Sequence, residues 1–177
     1  MIIWQKLELD IIQFLENQNS TDTIETAKFF AKSYHTAMKT STDPNNNLIV
    51  IKKPDILIKS WKRVFDVMQK SPKDLKSIPY NFIGKGMIEF WTGTVVSPLI
   101  PAAGMATGTL NIIIFPGNPL PVGIGIYNAF RKMKARLVAK SLIKVYKDHI
   151  KTIQGIHTGI APPPGSLPLV VPWSGLK

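Results

Sequence analysis

The 177-residue chain is 45% hydrophobic and 19% charged, which is enough apolar content to fold around one core and excludes disorder throughout. It has no cysteine, so disulfides, thiolate metal sites and cysteine nucleophiles are excluded together. The net charge of +11 is uneven: residues 90–177 hold +8 of it, with Asp148 the single acid there, which points to an anionic bilayer, a nucleic acid or an acidic protein as partner.

One domain with appendages is expected at this length. The opening MIIWQKLELDIIQF carries Lys6, Glu8 and Asp10 and no small-residue cleavage site, so it does not read as a secretory leader, and synthesis and assembly in the cytoplasm are expected. Trp4, Leu7, Ile11, Phe14 and Leu15 recur at helical spacing and predict a short amphipathic helix that stops near NQNS. Asp22 followed by Glu25 resembles a capping box, and the stripe Ala27, Phe30, Ala31, Tyr34 and Met38 carries a second helix to about Thr40.

TSTDPNNN reads as a loop, because its side chains compete for backbone hydrogen bonds and Pro44 disfavours helix at Asp43. LIVIKK, residues 48–53, reads as a short strand. Pro54 then suits the first turn of a third helix with Leu57, Trp61, Val64, Phe65 and Met68 on one face, ended by Ser71-Pro72. Residues 80–91 are ambiguous, since Gly84 and Gly86 weaken a helix that Met87, Ile88, Phe90 and Trp91 favour. Residues 1–91 thus form a helical region.

From Phe90 to Phe130 there is no charged residue. Its longest proline-free piece, residues 102–115, falls well short of the roughly 20 apolar residues that a membrane helix needs. Short strands or extended pieces are expected over residues 92–121, followed by the turn FPGNPLP. Such a segment needs burial, and Ile112, Ile114 and Phe115 are candidate interface residues.

Residues 122–154 predict one long amphipathic helix, with Gly155 as its stop. Lys132, Arg136, Lys140, Lys144, Lys147 and Lys151 fall within an arc of about 120°, opposite Phe130, Leu137, Val138, Leu142, Val145, Tyr146 and Ile153. This basic face suits an anionic bilayer or nucleic acid; the bland alternative is a solvated helix surface. Residues 155–177 hold five prolines, and predict an extended, polyproline-like arm. Leu167, Leu169, Val171 and Trp173 in it would be costly in water, so they are expected to anchor on a neighbouring chain, with Trp173 foremost, or to fold back onto the chain's own helices.

Chemistry is sparse. His35, His149 and His157 are scattered and read as surface or cap residues, not metal ligands. There is no phosphate loop and no GxSxG elbow, and Gly123-Ile-Gly125 lacks the rest of a dinucleotide fingerprint. Glu8 with Asp10 reads as a solvated face. No catalytic, metal-binding or cofactor-binding residue is nominated, and neither an enzyme nor a small-molecule substrate is expected.

The fold class expected is mainly α, with a short β or irregular Gly-Pro-Thr-rich apolar middle, a long basic amphipathic helix and an extended C-terminal arm. In the order of FWTGTVVSPLIPAAGMATGTLNIIIFPGNP and KDHIKTIQGIHTGIAPPPGSLPLVVPWSG the chain resembles small structural proteins from the tail, baseplate or neck of contractile-tailed bacteriophages. That resemblance covers roughly the back half and supplies no catalytic residues. It implies a virion subunit, assembled in the host cytoplasm, in contact with other virion proteins and repeated as a homo-oligomer or ring.

Overall fold

A computed structural model, which describes residues 2–17, 22–70, 80–96, 107–113, 119–161 and 167–177, places six helices so that each rests on its successor and the sixth returns to the first. They are α1 (Trp4–Asn17), α2 (Thr23–Met38), α3 (Asp55–Lys70), α4 (Asn81–Trp91), α5 (Leu120–Phe130) and α6 (Ala135–Lys151). The mainly α class expected from the sequence is found. The Asp22 carboxylate caps α2 by accepting from the Ile24 amide at 2.8 Å, which satisfies one of the free donors at the helix start.

The apolar stripes meet inside the ring. Phe30 is buried at its centre, stacked on Trp61 with ring centres 4.8 Å apart and edge-on to Phe14, Phe29 and Phe130. A second buried group joins Tyr34, Phe90, Trp91 and Tyr146, and the Trp91 indole donates to the Tyr34 hydroxyl at 3.0 Å. Each aromatic ring removed from water in this way contributes about 2–3 kcal/mol, and aromatic contact adds to it.

Among the described residues four antiparallel strands form one sheet in the order β1 (Val95–Val96), β2 (Thr107–Ile113), β3 (Gln154–Ile160) and β4 (Pro168–Ser174). Gly155 pairs with Ile112 on one side and Trp173 on the other; His157 pairs likewise with Leu110 and Val171.

Three expectations are corrected. The long helix over 122–154 is two helices, because the chain turns at residues 131–134, with Met133 at φ 61. The turn lets α5 fold back on α6, where Gly125 lies so near Val145 that a methyl group on it would stand 2.7 Å from a valine methyl. Lys132 therefore lies in the turn and not on the face of α6. Next, the described parts of 155–177 are not a polyproline arm: Gly155 lies inside β3, and residues 168–174 are an edge strand of the sheet, while residues 162–166 lie outside the described residues. The prolines fit there because the amides of Ala161 and Gly175 show that odd-numbered positions bond across β3 and β4, so Pro168 and Pro172 turn their nitrogens to the free edge. Finally, residues 48–53 form no strand; Leu48 makes one isolated bridge to Thr42, and only Ile49 of the LIVI run is buried.

Candidate functional site

The His157 imidazole is sealed from solvent on β3, with Nε2 3.2 Å from Oδ2 of Asp43, itself fully buried. The contact is within ion-pair reach but outside hydrogen-bond alignment, so both ring nitrogens lack a hydrogen-bond partner. Asp43 is held by its own loop: Oδ1 accepts from the Asn47 amide at 2.7 Å and Oδ2 from the Asn47 side-chain nitrogen at 2.8 Å. Asn46 takes φ 67 and its amide bonds the Asp43 carbonyl, which closes the turn. The loop also exchanges two backbone hydrogen bonds between Thr42 and Lys177, each 3.0 Å.

This arrangement ties the sheet and the last residues of the chain to the helical body. It is built as a clamp: His157 and Asp43 are shut away from any incoming molecule, and the nearby buried Ser41 hydroxyl is committed to the Met38 carbonyl at 2.7 Å. A general base must reach the proton that it takes, and this imidazole cannot meet a solvent-borne substrate. The expectation that His149 and His157 are surface or cap residues is overturned, since both are buried. Burial alone pushes the His149 imidazole down to about 4. His35 is half-buried edge-on to Phe90, and burial followed by the Lys39 charge lowers it too. Among the described residues no group of three His, Cys, Asp or Glu could hold a metal ion.

The proposed interface residues separate. Leu169, Val171 and Trp173 share the inner face of β4 with His157 and Gly155 beside them, and all three are half-buried. Trp173 lies against the chain's own core, its ring centre 6.4 Å from that of His157. Of the two expectations for Trp173, the fold back onto the chain's own body is the one found. Leu167 is 68% exposed. Ile112 is in β2, and Ile114 and Phe115 lie outside the described residues.

On the opposite face of β3 and β4, Ile160 is 49% and Val170 62% exposed, with Pro168 and Pro172 exposed beside them. Thr158 and Ile156 complete a surface without an ionisable group. The period-two alternation Ile156, Thr158, Ile160 was its sequence signal.

Arg136, Lys140, Lys144, Lys147 and Lys151 are all exposed on α6. Comparison with family models, curated proteins and solved structures finds no match. Among the described residues no helix is long and apolar enough to cross a membrane.

Proposed function

We propose that this chain is a non-enzymatic structural subunit of a contractile-tailed bacteriophage virion, in the tail, baseplate or neck, which meets further copies of itself through the outer face of β3 and β4. The observation that carries this reading is the uncharged apolar surface of Ile160, Pro168, Val170 and Pro172 on a chain of net charge +11. Copies of so basic a protein repel one another over most of their surface, so a contact between them is favoured where no charge stands. Pro168 and Pro172 remove donors from the free edge, which disfavours strand-to-strand addition and leaves the face as the means of association. The phage assignment rests on the back-half resemblance.

Two measurements test it. In particles purified from the cells that make this chain, mass spectrometry is expected to recover its peptides alongside the other virion proteins; complete particles that lack them remove the virion assignment. Sedimentation of the isolated chain is expected to show an oligomer that Ile160→Lys with Val170→Lys returns to monomer. A wild-type monomer at all concentrations would remove the self-assembly.

A further inference from the structure

The five cations of α6 lie within about 80° of arc at 100° per residue, and from Arg136 to Lys151 they extend about 22 Å along the helix. Arg131, Lys132 and Lys134, all exposed, stand at its N-terminal end in the turn that Met133 closes. Among the described residues none of these eight cations closes an ion pair. Lys147 rests 5.7 Å from the Trp4 ring centre, and Arg131 lies over Tyr127 at 5.6 Å. Asp148, the one acid on α6, sits at the margin of the arc.

We propose that this stripe holds the phosphate backbone of a nucleic acid and does so without reading its sequence. A bilayer is disfavoured because a surface-lying helix needs its apolar face for the acyl boundary, and here Val138, Leu142, Ile143, Tyr146 and Ile150 are all buried in the helical ring. A protein partner is disfavoured because an interface needs a desolvated apolar or aromatic centre: between Lys140 and Lys151 the exposed surface offers none, and exposed Met133 and Leu137 stand only at the N-terminal end of the stripe. What remains is an elongated polyanion met by evenly spaced charge. Four of the five α6 cations are lysines, flexible point charges suited to phosphate, and the stripe has no asparagine or glutamine for an adenine edge; Arg136 is its one guanidinium fork, so the contact proposed is positional and not sequence-reading. This inference stands apart from the virion reading: it concerns α6, not the sheet face, and either can fail alone.

The test uses the full chain and a labelled DNA duplex of about 20 base pairs, titrated by fluorescence anisotropy from roughly 50 to 200 mM salt. Five neutralised phosphates predict a log–log salt slope of about −4 to −5. Lys140→Glu, Lys144→Glu and Lys147→Glu together should lower affinity at the lowest salt on the order of a hundredfold or more and flatten the slope to about −2. A control with Lys32→Glu, Lys59→Glu and Lys85→Glu changes the net charge equally and is expected to stay within a few-fold of wild type. The same three stripe lysines changed to Gln, with circular dichroism on every variant, keep the result readable if reversal disturbs folding. Equal losses from both triples would show that net charge alone attracts the DNA and would overturn the site. So would a wild-type slope shallower than about −2, or capture of anionic phospholipid vesicles under conditions where the duplex is not bound. Single-stranded DNA and an RNA duplex of the same length identify which nucleic acid the stripe prefers, and no preference for any polyphosphate backbone over a polyglutamate chain would also overturn it.

Discussion

Gly84 of α4 lies so close to Pro119 that a methyl group on it would stand 2.2 Å from the Pro119 carbonyl oxygen. The neighbour is backbone at the start of α5, with no rotamer to turn aside, so the two helices would have to separate. Gly84→Ala is therefore expected to destabilise the protein by about 2–3 kcal/mol, despite the better helix propensity of alanine. Gly93 makes the comparison: nothing lies within 4 Å of its added methyl, and its only objection is φ +73. Gly93→Ala should cost about 1 kcal/mol. Urea unfolding of both variants decides it, and a Gly84→Ala protein as stable as wild type would show that α4 and α5 are not so closely seated.

The Asp43 carboxylate holds three groups at once, the Asn47 amide, the Asn47 side chain and the His157 ring. Asp43→Ala leaves the Asn47 amide and side-chain nitrogen buried without this acceptor and removes the carboxylate beside the His157 ring, which is expected to cost about 3 kcal/mol. Asp43→Asn keeps one carbonyl oxygen for the loop and should lose less. Because the loop also holds Thr42 against Lys177, the Ala variant should expose the last strand to proteolysis before the helices unfold. Limited digestion followed by mass spectrometry reads the order of cleavage; simultaneous loss of helices and strand would mean that the clamp is not a separate fastening.

The first three helices were legible because burial follows a single period within each segment: Leu7 with Ile11, Phe30 with Tyr34, and Leu57, Trp61 and Val64 are all in the core. The turn between α5 and α6 was not. FRKMKARL contains no glycine or proline, and Met133 adopts a positive φ only because the two helices meet beyond it. The Gly84 contact was hidden for a similar reason, since a glycine reads locally as a weak helix former whether or not a neighbour needs the space. Asp43 and His157 belong to segments far apart in the chain, and each is unremarkable among its own neighbours. Their meeting depends on β3 reaching the loop, and β3 was masked by the proline-rich sequence after it. The basic positions from Arg136 onward needed no tertiary knowledge, because exposure on α6 follows its own periodicity.

His149 gives the fold a defined response to acid. Its ring is buried on α6 with Nε2 unpartnered, and burial pushes its proton affinity down to about 4, against about 6.5 in an unfolded chain. Between those values the unfolded chain binds a proton that the folded one refuses. Stability therefore holds above about pH 6.5 and falls as pH is lowered through the window toward 4, by about 3 kcal/mol in all. Asp66, held low first by the Lys62 hydrogen bond and then by Thr23, loses its contribution only as pH falls below the ordinary carboxylate value, beneath that window. Replacing His149 with Leu removes the titrating group while keeping a side chain of similar size, now apolar, in the buried position. Urea midpoints measured from pH 7 to pH 4.5 are expected to decline in the wild type and to decline less in the variant, where His35, lowered by burial and then by the Lys39 charge, still contributes. An equal decline in both would place the acid response elsewhere, and an imidazole that NMR finds protonated at pH 5.5 in the folded protein would mean that water reaches the ring.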